Sequence, residues 1–262
     1  MQQEKRKQRI FISIILISLF IGLFGGVLWQ KYFPVGNTLL SIRSNLGIAT
    51  STPNPTNTLS PTLTSQNIIG TLEAKGISPF IMFIGDSLTY GSGASDVAHR
   101  YPFQAMALIG GHNFINLGIG SANIKDLNDH VSTSIDQLVN PSYKFILPVW
   151  IGANDGTTPI STFTKDLAFY WQERRAAGFK IIAFTVLPQG EERAFEKTQV
   201  AMNDWIRANW ASYCDGLVDV AAAPELQDPT NLIYFNKDKV HLTDAGYEIV
   251  AKLVSQAVAK LR

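Results

Sequence analysis

From residue 80 onward, apolar and polar positions fall into blocks of two lengths. The short blocks are nearly unbroken: Phe80–Ile84, Phe114–Leu117, Tyr143–Ile151, Lys180–Val186 and Leu217–Val220. Apolar runs of that length, bounded by glycine or turn residues, predict strands buried on both faces of a parallel sheet. The longer blocks carry apolar residues on one face only. They predict helices over Tyr101–Ile109, Ile124–Val139, Ser161–Ala177, Arg193–Ala211 and Thr243–Leu261. Strands alternating with helices imply right-handed crossovers, a parallel sheet of about five strands and helices on both of its faces. One residue sits badly in this scheme. Pro148 falls inside the third strand, where it has no N–H for the ladder, so the strand is expected either to bulge there or to lie elsewhere.

The N-terminal pattern is of another kind. Residues 1–9 hold Lys5, Arg6, Lys7 and Arg9 against a single Glu4, and Ile10–Trp29 then runs for twenty residues without a charge. As a helix it spans roughly 30 Å, the thickness of a bilayer's hydrocarbon core. Trp29, Lys31 and Tyr32 supply the aromatic and basic edge of an interface. A cleaved signal peptide, the competing reading, wants a shorter apolar region and a small-x-small site, which Trp29–Pro34 does not offer. An uncleaved anchor is therefore expected, with the basic tail cytoplasmic and the rest of the chain outside. Twelve of the sixteen residues 50–65 are Ser, Thr or Pro, and no charge occurs between Arg43 and Glu73. That composition cannot build a core, so 30–66 is expected to be a spacer and 67–262 the folded domain.

Composition narrows the chemistry. A net charge of +1 argues against a nucleic-acid binder. A single cysteine, Cys214, excludes an internal disulfide and a thiolate metal site, and is read as a packing residue. Candidate chemistry gathers instead at the ends of the predicted strands, where open α/β sheets bind ligands. Ser87 follows the first strand in Gly85-Asp-Ser-Leu88. Asn116-Leu-Gly-Ile-Gly-Ser121 follows the second, Gly152-Ala-Asn-Asp155 the third, and Asp238-Lys-Val-His241 precedes the last helix. A serine hydroxyl is a weak nucleophile until a base takes its proton. His241 suits that task, and Asp238 can fix the imidazole tautomer from the far ring nitrogen. The Asn154 amide and backbone N–H groups of Ser87 and of the 118–121 loop are candidate donors to a developing oxyanion.

These blocks, in this order, closely resemble the SGNH (GDSL) hydrolase superfamily across about Phe80–Leu261. The resemblance implies a flavodoxin-like three-layer α/β/α sandwich, which would follow the N-terminal transmembrane helix expected from the uncharged run Ile10–Trp29. It implies hydrolysis of carboxylic esters by Ser87, Asp238 and His241, with no metal or other cofactor. Asn154 matches the family's oxyanion asparagine. The second block departs from the family pattern: Ser121 stands where a glycine is usual. Its N–H can still donate if its φ is negative; otherwise Gly120 is the alternative.

The remaining polar and aromatic residues read as structural. Asp86 and Asp155 are expected to brace their turns. His99, His112 and His130 read as surface or helix-end residues, and Trp150, Trp171, Trp205 and Trp210 as packing, with Trp150 also within possible reach of the pocket. Three alternatives stay open: an acyltransferase or deacetylase acting on cell-surface glycans with the same triad, a silent binding module on a stalk, and a metal-dependent phosphoesterase using Asp86, Asp155 and His241. The expected partner is an acyl-ester small molecule, lipid or glycan.

Overall fold

The computed structural model describes residues 79–110, 113–131, 135–139, 143–190 and 193–261. The expected membrane helix 10–29, the spacer 30–66, the domain start at residue 67 and His112 lie outside the described residues. Among the described residues no helix is long and apolar enough to cross a membrane.

Five parallel strands form one sheet: β1 (Phe80–Gly85), β2 (Phe114–Gly118), β3 (Phe145–Trp150), β4 (Phe179–Phe184) and β5 (Gly216–Val218), in the order β2-β1-β3-β4-β5. Every residue of β1 and β3 is buried, as two-sided strands at the centre of a sheet require. The one exposed residue of β4, Lys180, pairs with Asp215 at 3.0 Å. All five predicted strands are present, with ends that differ from expectation by up to two residues.

Pro148 resolves in a way neither expectation covered. It stays inside β3 and pairs in register with Ile182 of β4. On the other side Ile81 pairs with Ile146 and Ile84 with Val149, the same offset, while the positions between them drop out of the ladder. The strand neither bulges nor moves. The missing donor is absorbed by a two-residue lapse in pairing with β1.

The helices are α1 (Ser87–Tyr90), α2 (Tyr101–Leu108), α3 (Ile124–Asp126), α4 (Ile160–Ala176), α5 (Arg193–Tyr213) and α6 (Asp244–Leu261). α2 and α6 cover one face, in a cluster with Ile81, Phe83, Ile146, Trp150, Ile182 and Phe184. The alternate strand residues Met82, Ile84, Leu147, Val149, Ile181 and Ala183 are equally buried, so the opposite face is covered too, and α4 and α5 pack there against β4. Trp171 of α4 stacks on Trp205 of α5 with ring centroids 6.0 Å apart. The helix expected over 124–139 is a correction. A capping box between Asn123 and Asp126 opens it, but the backbone widens into a π-turn over Leu127–Val131. Periodicity of apolar residues does not distinguish those hydrogen-bond patterns over so few turns.

Candidate active site

Strand register brings the chemistry together. Gly85, the last residue of β1, pairs with Gly118 on one side and with Trp150 on the other. The chain leaving β1, β2 and β3 therefore enters three adjoining loops at one edge of the sheet. This is also where strand order reverses, the usual place for a ligand crevice in such sheets. Both glycines are sterically required. A Cβ on Gly85 would lie 2.0 Å from the Trp150 carbonyl oxygen, and one on Gly118 would lie 2.1 Å from the Tyr90 nitrogen.

Ser87 opens α1, a single helical turn. Asp86 caps it by accepting the Leu88 N–H at 2.9 Å, and Gly91 ends it at φ 91°. Asn116 clamps this turn to β2: its amide donates to the Thr89 carbonyl at 2.8 Å, while its own oxygen accepts the Gly118 N–H at 3.0 Å. The serine is thus carried by a one-turn element fixed from both sides.

His241 comes from a loop pinned just before α6. Phe235 and Leu242 form an antiparallel bridge, and the Asn236 N–H donates to the His241 carbonyl at 2.8 Å. The Asn236 amide also donates to the carbonyls of Leu242 and Gly93, at 2.9 and 3.3 Å. Sequence reasoning gave Asn236 no role, and no local pattern signals one, because its partners are brought by the fold. Asp244 anchors the start of α6 to the loop after α1, accepting from the N–H and hydroxyl of Ser95 at 2.8 and 2.6 Å.

The result is a continuous hydrogen-bonded chain. His241 Nε2 lies 2.9 Å from Ser87 Oγ, and Nδ1 lies 2.8 Å from Asp238 Oδ2. Asp238 Oδ1 accepts the backbone N–H groups of Val240 and His241 at 3.0 and 2.9 Å. Burial alone would raise the Asp238 carboxyl, but the bonds from the His241 ring and from these two amides outweigh it and hold it below its ordinary value. As a carboxylate it only accepts, so Nδ1 carries the ring proton and Nε2 is left to accept from Ser87. Geometry and electrostatics agree on the tautomer a general base needs.

Asn154 lies in the loop after β3, and its amide donates to the Ala122 carbonyl at 2.8 Å. That bond orients an NH₂ group whose second hydrogen is still to be placed. Asp155 ties the same two loops, accepting the Ile124 N–H at 3.2 Å and the Thr158 hydroxyl at 3.3 Å. Ser121 departs from expectation. It sits at φ 62°, in the left-handed region, so the negative φ on which its role as a donor depended is not met. Gly120 beside it is open to solvent, with nothing near the position a Cβ would take.

Asp86 and Asp155 brace their turns as expected. Trp150 does not reach the pocket: it is buried, stacked on Phe184 at 5.4 Å, and donates its ring N–H to the Thr185 carbonyl. Cys214 is buried, which pushes its thiol up, in keeping with a packing residue. His99 is exposed and bonded to Asp96 at 2.8 Å. Among the described residues no group of three His, Cys, Asp or Glu side chains is arranged to hold a metal ion.

A flavodoxin-ordered sheet carrying a Ser–His–Asp chain at its carboxyl edge defines an α/β serine hydrolase. Residues 83–249 match the GDSL-like lipase/acylhydrolase family, and the chain belongs to that family and is an ester-cleaving hydrolase. Similar solved structures include a member of the lipolytic G-D-S-L family from Veillonella parvula. It is 18% identical, with a TM-score of 0.60, 69% of this chain covered and 98% of that one. The family 3 carbohydrate esterase of Clostridium thermocellum aligns at 15% identity and TM-score 0.55, covering 71% of this chain and 97% of its own. A psychrotrophic esterase from Pseudoalteromonas aligns at 13% identity and TM-score 0.55, covering 70% and 97%. At these identities the likeness is one of fold. No curated protein matches the chain.

Proposed function

We propose that this hydrolase works through an acyl-enzyme on Ser87, as an esterase tethered outside the cell membrane. His241 Nε2 takes the Ser87 proton as Oγ attacks the ester carbonyl, and Asp238 stabilises the imidazolium that forms. The oxyanion is met by the Asn154 amide, the Ser87 N–H and a backbone N–H of the 118–121 loop, for which the Ser121 conformation favours Gly120. His241 then returns the proton to the departing alcohol. Water, deprotonated by the same imidazole, cleaves the acyl-enzyme and releases the acid. The observation that carries this reading is the unbroken Ser87–His241–Asp238 chain at 2.9 and 2.8 Å.

The openness of the site favours hydrolysis over acyl transfer. The Asp238 side chain is 50% exposed and that of His241 26%, so water reaches the base, whereas a transferase must keep water away. The substrate class we favour is a small or glycan-borne acyl ester, in line with the fold shared with carbohydrate esterases. The anchor at 10–29 and the spacer at 30–66 support a substrate at the cell surface.

The test is hydrolysis of a short-chain p-nitrophenyl ester by the purified full-length chain, with and without a chelator. Turnover that ignores the chelator is expected. Turnover abolished by chelation and restored by a divalent metal would point to the phosphoesterase alternative and overturn the acyl-enzyme. Product analysis with an added sugar acceptor should show free acid; acyl sugar as the main product would replace hydrolysis by transfer. Asn154→Ala should lower kcat by about 10²–10³-fold with KM little changed. A kcat within about twofold of the parent would remove that amide from the oxyanion site.

A further inference from the structure

Asp86 does more than its place in a turn requires. It directly precedes Ser87, yet it is only 1% exposed. Oδ1 accepts the Leu88 N–H, and the Ala153 N–H of the Asn154 loop also reaches the carboxyl. Oδ2 is sealed from solvent and has no partner among the described residues. The carboxyl therefore joins two of the three loops that would surround the oxyanion, and Asn154 and Asp155 join the third through Ala122 and Ile124. A carboxylate at that point would set a fixed negative charge beside the place where the tetrahedral intermediate develops its own. Asp86 itself is sealed from water, so little solvent screens its charge from a like charge in the site.

We propose that Asp86 is a positioning residue held as an uncharged carboxyl: it caps the Ser87 turn and links it to the Asn154 loop without a negative charge next to the oxyanion. The proposal rests on the reading of Ser87 as nucleophile. The titratable groups facing Asp86 all favour its neutral form or are silent. Asp155 approaches from the β3 loop and repels a second negative charge. Tyr101 of α2 and Tyr247 of α6 are buried phenols whose hydroxyls are engaged elsewhere, with Thr89 at 3.1 Å and the Ser92 carbonyl at 2.7 Å. Burial, followed at a distance by the Asp155 charge, pushes Asp86 up to about 7 despite the amide bonds that oppose it. Asp155, itself raised to about 6 by burial, ionises first.

Two readouts in the full-length chain test this. The first is kcat/KM for a p-nitrophenyl ester between pH 5 and 9. The parent should lose activity on the alkaline side, toward about tenfold per pH unit, as Asp86 ionises. Asp86→Asn, neutral at every pH, should lose that alkaline limb. Asp155→Asn removes a like charge and should move the limb to lower pH; movement to higher pH would overturn the proposal. An alkaline limb unchanged in Asp86→Asn, or a folded Asp86→Asn that is inactive at pH 6, would overturn the proposal.

The second readout needs no turnover. A carboxyl whose folded value lies above its unfolded one binds more protons when folded, so its contribution is full below about 4 and is lost as pH rises toward 7. The melting temperature of Asp86→Asn relative to the parent should therefore climb between pH 4 and 7 and then level off. A difference independent of pH would show Asp86 already ionised and sink the idea. Should the parent cleave no ester, the nucleophile reading fails, while this thermal comparison still decides the state of Asp86.

Discussion

Ser87→Ala should reduce kcat by about 10⁴-fold or more while leaving the fold unchanged. The expectation follows from what each atom of Ser87 does. Its carbonyl accepts the N–H groups of Gly91 and Ser92, at 3.0 and 2.9 Å, and alanine keeps both bonds. The turn is capped by Asp86, not by Ser87, and its packing on β2 runs through Asn116 and Gly118. The hydroxyl bonds His241 Nε2. Removing it should change stability by less than about 1 kcal/mol, the ordinary scale for one hydrogen bond that water can replace. Loss of turnover with an unchanged melting curve would place the chemistry on Ser87. Retention of more than a few per cent of the parent's kcat in a preparation free of other esterases would remove Ser87 as nucleophile.

The second large effect is a contrast within the pair that serves Ser87. His241→Ala deletes the base and should approach the serine variant in its loss. Asp238→Asn should cost less, though still orders of magnitude, on the order of 10²–10⁴-fold. Asparagine retains an oxygen able to accept the Val240 and His241 N–H groups, so the loop survives. Its NH₂ then faces Nδ1 and calls for the imidazole tautomer with Nδ1 bare and Nε2 protonated. That ring donates to Ser87 where it should accept. Asp238→Ala should lose the loop bonds as well and fall further, with a measurable drop in melting temperature. Equal losses in Asp238→Asn and His241→Ala would mean that Asp238 does more than orient the ring and stabilise its charge.

Much of this molecule was legible along the chain. Unbroken apolar runs such as Phe80–Ile84 are visible because a strand buried on both faces needs every position apolar. The alternation of such runs with amphipathic stretches carried the parallel sheet, and the family blocks marked Ser87, Asn154, Asp238 and His241 as candidates. Each of these signals is local: a few neighbouring residues suffice to express it.

What only the tertiary structure decided depends on partners distant in sequence. Pro148 remains in a central strand because β1 yields its pairing there, which no reading of the β3 sequence alone reveals. Asn236 holds His241 by bonding to Leu242 and Gly93, and its role appears only when the loop after α1 comes alongside. The left-handed φ of Ser121 is set by the path of its loop, since serine has no strong preference of its own for that region. Asp86 is the sharpest case. In the sequence it is one more acidic residue in a turn, the kind that water normally keeps charged. Its burial between α1, the Asn154 loop, Tyr101 and Tyr247 removes that water and raises its carboxyl by desolvation, a property of the assembled fold that no segment of the chain possesses by itself.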